Sequence, residues 1–384
     1  MKTKQVVSAA RPHSATAGPA IGLALLTAAT ALMAAKNAHA DLAPERGMIS
    51  LKYLDYQDSQ SGQDRIGVHA PSIMVMAPVA GVWSVSGTFT SDVVSGASPA
   101  FHTEQLTKMK DHRKAVDLSV TRYFPRGSLT LGASHSQESD YISRGLSAQG
   151  TISTEDKNTT FNLGVGTSDD TITPSYGGVH EKKNVTDVMV GVTQVLTKQD
   201  IAQLNYGFSH GRGYFSDPYK LADERPRERN HRTILARWNH HFAFTDGTSH
   251  LSYRYYWDTW DIRAHTISGE YVQPLPYGWT LTPGVRFYTQ TAARFYLPVD
   301  PANPSWPTFP SVNATEFSED QRLSAFGAVT VGLKVAKQLS PDWLLDVKFE
   351  KYKQRSDWAW SGTGDPGLAP FDARTFQFGI TRYF

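Results

Sequence analysis

The chain has 384 residues, a formal net charge of +2 and no cysteine. The near-neutral charge gives no indication of nucleic-acid binding, and the lack of cysteine excludes disulfide frameworks, Cys-ligated metal sites and haem attached through cysteine. The content of 17 Tyr, 18 Phe, 9 Trp and 30 Gly is typical of a β-barrel with a polar lumen, and also of a soluble all-β protein.

Residues 1–40 have the features of a cleaved secretory signal peptide. Basic residues near the start precede an apolar stretch over 21–35, and Ala38-His39-Ala40 is a small-x-small cleavage site. An uncleaved N-terminal membrane anchor is the alternative. We therefore expect export and a single mature domain over 41–384, whose formal charge is −2 without the four basic residues of the leader.

After residue 40 no apolar run reaches the ~18–20 residues of a spanning helix, so a membrane protein built on this chain has to be a barrel. Apolar and polar residues alternate instead, as in Val116–Thr121 and Leu251–Asp258, and this period of two predicts strands. We predict about sixteen strands, with fourteen as the alternative. Their expected bounds are 47–58, 64–76, 80–91, 112–124, 127–139, 140–153, 157–168, 184–197, 199–210, 229–244, 247–258, 261–274, 277–291, 322–338, 341–354 and 372–384.

Short and long connections alternate between these strands. Tight turns are expected at 125–127, 197–199, 245–247, 274–276 and 340–342, and all of these except 197–199 contain Gly, Pro or Asp. Long connections are expected at 92–111, 169–183, 211–228, 292–321 and 355–371. This segregation predicts an all-β, transmembrane, antiparallel up-and-down barrel with short periplasmic turns and long extracellular loops. In a soluble β-sandwich, short and long connections are not expected to alternate in this way.

The last strand carries a candidate barrel-closure signal. Gln377, Gly379 and Phe384 match the pattern polar-x-Gly-x-x-aromatic-x-aromatic that barrel-assembly machinery reads, although Arg382 stands where an apolar residue is usual. The final strand must pair with the first because an open edge in lipid leaves backbone groups unpaired. The repeated Thr-Arg-Tyr-Phe, at the end of two strands, predicts that Phe124 and Phe384 lie at the same membrane boundary.

Charged residues on the polar faces of the strands are candidates for lining the lumen. They are Arg237, Arg254, Asp258, Asp346, Lys348 and Glu350. Such side chains either line a water-filled pore or pair with one another across a plugged lumen. The sequence lacks the motifs of serine hydrolases, zinc peptidases and nucleotide-binding enzymes. We expect no enzyme, no cofactor and no metal, with a hydrolase in the lumen or at the rim as the alternative.

Longer segments resemble a bacterial family called domain of unknown function 3570 (DUF3570). The segments are 51–58, 91–99, 168–171, 216–220, 253–258 and 290–296. The resemblance implies an outer-membrane barrel. It also implies a link to extracytoplasmic redox, since members of the family often lie near genes for a small lipoprotein and a flavin-attaching enzyme.

Several of these segments fall in predicted loops, where a rigid barrel can present functional residues. The candidates for an extracellular rim site are therefore Asp92, Asp217, Tyr219 and Lys220. The alternative is that these are turn residues, which serve local hydrogen bonds only.

We expect an outer-membrane channel, transport or binding barrel for a small solute. The alternatives are a scaffold barrel for a redox or flavin-linked envelope complex, and a barrel enzyme that acts on lipid or peptide. The expected partners are outer-membrane lipid, lipopolysaccharide and the barrel-assembly machinery, with a periplasmic protein or lipoprotein as a further candidate and no nucleic acid.

Overall fold

The computed structural model describes residues 42–60, 62–99, 106–174, 178–220, 222–304 and 308–384, with backbone only for 96–99 and 106–109. The predicted signal peptide lies outside the described residues. Within the described part of the chain, no helix is long and apolar enough to cross a membrane.

Sixteen strands close into one antiparallel barrel, so sixteen rather than fourteen is confirmed. In chain order they are β1 (Met48–Gln60), β2 (Gln63–Val79), β3 (Trp83–Pro99), β4 (Leu106–Phe124), β5 (Gly127–Gln137), β6 (Tyr141–Ser153), β7 (Thr159–Ile172), β8 (Glu181–Val195), β9 (Asp200–Gly213), β11 (Glu228–Phe242), β12 (Gly247–Asp258), β13 (Arg263–Leu275), β14 (Trp279–Gln290), β16 (Phe326–Ser340), β17 (Trp343–Arg355) and β18 (Phe371–Tyr383). Two further short strands, β10 (Asp223–Glu224) and β15 (Phe317–Ser318), pair outside the barrel wall.

Large apolar side chains cover the outer face of the wall. Leu118, Leu131 and Leu163 are each more than half exposed, whereas the inward residues between them are small or polar. A contiguous apolar surface of this kind is unfavourable in water. The alternation therefore fits a wall that faces lipid outside and a polar lumen inside.

The barrel closes through its last strand, as the sequence predicts. β18 pairs with β1 along its whole length. Beyond the strand, the Phe384 amide donates to the Gly47 carbonyl at 3.0 Å, and the Gly47 amide donates back at 2.9 Å. Phe384 and Phe124 are both exposed at the same end of the barrel. That this end is a membrane boundary stays a prediction.

Aromatic rings with cations over them mark this end of the outer face. The Arg122 guanidinium lies 5.0 Å from the Trp83 ring and 5.6 Å from the Phe124 ring. Arg382, the residue that departs from the closure pattern, lies 5.5 Å from the Trp343 ring. Such pairs suit a membrane interface, where aromatic rings lie at the level of the lipid headgroups and long basic side chains extend into water.

The connections differ between the two ends of the barrel. The turn end holds the links at 80–82, 125–126, 154–158, 196–199, 243–246, 276–278 and 341–342 together with residues 47 and 384. The loop end holds the longer links at 214–227, 291–325 and 356–370.

The expected long loop at 92–111 is wrong. β3 continues to Pro99 and β4 begins at Leu106. The strands extend because Asp92, expected in the loop, lies 2.6 Å from Arg113 of the neighbouring strand and is buried. The connection at 169–183 is shortened in the same way, since β7 and β8 reach Ile172 and Glu181.

Candidate functional site

One sector of the inner wall is lined by hydroxyl groups near the turn end. Serine and threonine side chains on neighbouring strands hydrogen-bond across the lumen face of the sheet. The pairs are Ser50–Thr381 (2.9 Å), Ser86–Ser119 (2.7 Å), Thr121–Thr130 (2.8 Å), Ser128–Thr151 (2.9 Å) and Ser153–Thr160 (2.9 Å). These contacts give the sector a surface rich in hydroxyl groups.

The opposite sector carries three inward arginines, Arg237 on β11, Arg254 on β12 and Arg286 on β14, which we call the arginine patch. Strand register places Arg237 opposite Ser252, which is opposite Ser268, which is opposite Arg286. Arg254 lies two residues further along β12, toward the loop end. All three arginines are exposed although they point inward, so this part of the lumen is open to solvent.

The arginine patch has few protein partners. The Arg254 guanidinium donates weakly to the Thr266 hydroxyl at 3.4 Å, and the Arg286 guanidinium donates to the Thr330 hydroxyl at 3.2 Å. Arg237 has no hydrogen-bond or ion-pair partner among the described residues. Sequence reasoning identified Arg237 and Arg254 but missed Arg286, whose place beside them follows from the pairing of β13 with β14.

The predicted lumen residue Asp258 lies in a different environment, at the loop end of β12. Its carboxylate accepts hydrogen bonds from Arg229 at 2.6 Å and Tyr256 at 2.7 Å. It also accepts from the amides of Trp260 and Ile262, both at 3.0 Å. Asp258 thus stabilises a turn and anchors Arg229 rather than lining open water.

The remaining predicted lumen residues lie on β17. Lys348 and Glu350 form an ion pair at 3.1 Å. Asp346 is buried opposite Gly379 of β18. A Cβ atom at Gly379 would lie 2.4 Å from the Asp346 carboxylate, so the glycine of the predicted closure signal is also required for close packing. Any role of these residues in solute binding stays a prediction.

Loop residues cover the inner wall at the loop end, and we call this structure the cap. It comprises the described residues of 214–227 and 291–325, joined by the β10–β15 pair. An apolar cluster includes Trp260, Phe295 and Leu323, and Tyr256 of the inner wall packs against it. Sequence reasoning predicted long loops here but not that they fold inward.

Ion pairs around a buried carboxylate hold the cap together. Asp320 is 1% exposed and accepts hydrogen bonds from Arg225 at 2.8 Å and from Arg322. Arg225 also pairs with Asp223 at 2.7 Å, and Arg322 with Asp217 at 3.2 Å. The chain of contacts links both loops of the cap, because Arg225 and Asp320 are 95 residues apart in sequence.

The central carboxylate of this chain is held in its charged form. Burial alone acts to raise the pKa of Asp320, but the nearby positive charges of Arg322, Lys220 and Arg225 outweigh it and hold that pKa well below its usual value. Asp320 therefore remains ionised at neutral pH, and its pairs with the two arginines persist.

The candidate rim residues make hydrogen bonds and ion pairs with other residues of the protein. The Asp217 carboxylate accepts from the Tyr219 amide at 3.1 Å, and its carbonyl accepts from the Lys220 amide at 3.1 Å. The Tyr219 hydroxyl donates to Asp140, and Asp92 pairs with Arg113 as described. These contacts match the turn-residue interpretation for Asp217, Tyr219 and Lys220. Ligand binding by any of the four stays a prediction.

Three carboxylates that sequence reasoning did not connect meet at the loop end. Oxygen atoms of Asp111, Glu138 and Asp140 all lie within 4.8 Å of one another, the geometry in which carboxylates can hold a cation. Burial, together with the charge of Asp111, raises the pKa of Glu138 to about 8, although Arg113 partly offsets this. The residues come together because β4 and β5 pair and the 138–140 turn folds back.

Three solved structures illustrate the fold similarity. A bacterial polysaccharide outer membrane secretin is 8% identical, with a TM-score of 0.50, and the match covers 88% of this chain and 98% of that one. OccK2 from Pseudomonas aeruginosa, in complex with glucuronate, is 10% identical, with a TM-score of 0.45 and coverage of 88% and 98%. The siderophore receptor PirA from Pseudomonas aeruginosa is 7% identical, with a TM-score of 0.46 and coverage of 89% and 81%. The likeness at these identities is one of fold, that of outer-membrane barrels.

No curated protein matches the chain. A family described as a protein of unknown function, DUF3570, matches residues 102–180 and 175–371. The match begins at residue 102, between β3 and β4 in the sequence, and ends at the start of β18. The resembling segments 51–58 and 91–99 therefore lie outside it. The chain belongs to the DUF3570 family.

Proposed function

We propose that this protein is an outer-membrane barrel that admits or binds a small solute in a hydrated lumen, with the cap restricting access at the loop end. The observation that carries the proposal is the exposure of inward side chains. Arg237, Arg254, Arg286 and Glu270 are all exposed although they lie on the inner face of the wall. A sixteen-strand barrel is wide enough to hold water unless loops fill it.

The charge of the outer face supports an orientation with the loop end outside the cell and both termini in the periplasm. Exposed basic side chains lie on the outer face near the loop end. They include Lys110, Lys114, Arg144, Lys351, Lys353 and Arg374. Basic residues at this level suit the anionic headgroups of lipopolysaccharide, which we propose as a partner together with outer-membrane lipid. We further propose that the assembly machinery recognises the end of β18.

Purified protein in planar lipid bilayers tests the proposal. A channel gives discrete conductance steps, and heat-modifiable migration on a gel shows that the barrel is folded in the same preparation. Folded protein that never conducts and never binds a solute would contradict the proposal. Co-purification of a periplasmic protein or lipoprotein would then favour the redox scaffold, and turnover of lipid or peptide would favour the barrel enzyme.

A further inference from the structure

We propose that the arginine patch binds small organic anions through their carboxylate or phosphate oxygens. The inference rests on the proposed function and names the class of solute that the lumen takes. It assigns the binding to Arg237, Arg254 and Arg286, on one side of the inner wall.

The spacing of the strands brings neighbouring guanidinium groups of the patch within reach of one small molecule. Arg237 on β11 and Arg286 on β14 are separated by three strand-to-strand spacings across the sheet. This corresponds to about 14 Å between their Cα atoms. Arg254 extends from β12, between them. Long side chains on a concave wall converge toward the lumen, so a solute of a few carbon atoms can contact two arginines at once.

The patch arginines lack the carboxylate partners that several buried or half-buried arginines at the loop end have. Arg113, Arg225 and Arg229 each pair with an aspartate at 2.6 to 2.8 Å. None of the three patch arginines has a carboxylate within 4.0 Å among the residues that the structure describes. Their donors are therefore left for solvent or for a bound anion.

The local charge is positive. Glu270 lies on the inner face of β13, between β12 and β14, opposite Gly284 and His250. One carboxylate against three guanidinium groups leaves an excess of positive charge. Positive charge on the low-dielectric wall of a lumen raises the local concentration of anions, and rings of arginine or lysine select anions in pores.

The patch also offers hydroxyl groups between its charges. Ser252 and Ser268 lie between Arg237 and Arg286 and hydrogen-bond to each other at 2.6 Å. A guanidinium binds a carboxylate or a phosphate through two parallel hydrogen bonds, and a neighbouring hydroxyl can bind the polar body of the solute. This combination favours hydroxylated or phosphorylated organic anions over simple halide.

The test compares two triple variants of the full chain in planar bilayers. The first is R237Q/R254Q/R286Q, and the matched control is K351Q/K353Q/R374Q, which removes the same charge from the outer face. In a salt gradient, we expect the wild type and the control to prefer anions, and the patch variant to lose about threefold or more of that preference. Heat-modifiable migration establishes that each variant is folded.

Malonate and glycerol phosphate are then added to one side of the bilayer. The comparison shows whether the patch prefers a carboxylate or a phosphate group. Reduction of the wild-type current by either anion, with loss of the effect in the patch variant alone, supports the proposal, and the stronger inhibitor identifies the preferred group. Conductance without anion preference, or equal behaviour of the wild type and the patch variant, would overturn the proposal while leaving a channel in place.

If the wild type does not conduct, the channel form of the proposed function fails, and calorimetric titration of malonate and glycerol phosphate into folded protein tests the site directly. Binding that R237Q/R254Q/R286Q abolishes and K351Q/K353Q/R374Q retains would support the arginine patch. Absence of binding to the wild type would overturn it.

Discussion

The two ends of the barrel are stabilised by different interactions. At the turn end, hydroxyl pairs between neighbouring strands line the lumen, and ion pairs such as Arg46–Asp342 (2.5 Å) are exposed. At the loop end, charges such as Asp320 are buried and paired with residues from distant loops. Single substitutions should therefore have small effects at the turn end unless they disturb closure, and large effects in the cap.

Removal of Phe384 is expected to have the largest effect, because it breaks closure at the turn end. The deletion removes the two backbone hydrogen bonds with Gly47 and the aromatic end of the predicted assembly signal. We expect at least about a tenfold loss of folded barrel in the membrane, since the assembly machinery then lacks the terminal aromatic residue and the junction of the first and last strands is weakened. Heat-modifiable migration of the membrane fraction measures it.

Phe244→Ala is the control for this deletion, because Phe244 is an aromatic residue of the turn end that is 93% exposed and takes no part in closure. We expect near-normal assembly of this variant. Normal assembly of the Phe384 deletion would show that closure does not depend on the last residue.

Asp320→Asn tests the cap at its most buried charge. The substitution leaves Arg225 and Arg322 without their shared carboxylate, and breaking a buried pair costs about 3–5 kcal/mol. We expect faster proteolysis of 291–325 and larger conductance steps. Asp342→Asn is the matched control, because it breaks an exposed pair worth about 0–1 kcal/mol. Equal proteolysis of the two variants would contradict the difference between the two ends.

The effect of pH on this contact follows from the direction of the shift. Because the pKa of Asp320 is lowered in the folded protein, its contribution to stability is fully present above the ordinary aspartate pKa. It decreases only as the pH falls below that value. The cap should therefore resist proteolysis equally at neutral and mildly acidic pH.

Glu138→Gln is expected to have a smaller effect, with the opposite dependence on pH. In the folded protein the pKa of Glu138 is raised to about 8, compared with 4.5 for an ordinary glutamate, so Glu138 keeps its proton at neutral pH. The wild type therefore loses stability as the pH rises from about 5 to about 9. Glutamine resembles the protonated carboxyl, so the variant should unfold about 2 °C higher at pH 9 and at nearly the same temperature at pH 5.

Thermal unfolding in detergent, followed by circular dichroism, measures this difference. Glu155→Gln is the control, because its side chain is 91% exposed and its unfolding temperature should follow the wild type at both pH values. A variant at position 138 that is less stable than the wild type at pH 9 would show that the carboxylate is needed in its charged form.

The wall was predictable from sequence, and the cap was not. Alternation of apolar and polar residues is local, so it located all sixteen strands and the inward direction of Arg237 and Arg254. The contacts of Asp320 depend on loops that are 95 residues apart, and no local pattern reports such a contact. Asp92 was misplaced for a related reason, because its partner Arg113 lies on the next strand.

Labelling of single cysteines along β12 tests most directly whether the lumen is hydrated. The chain has no native cysteine, so Leu251→Cys, Ser252→Cys and Tyr253→Cys each carry one thiol. In reconstituted membranes, a charged, water-soluble thiol reagent should modify Ser252→Cys rapidly and leave both neighbours largely unmodified, because only position 252 faces the lumen. Equal labelling of the three positions, or protection of position 252 alone, would contradict a hydrated lumen inside a lipid-facing wall.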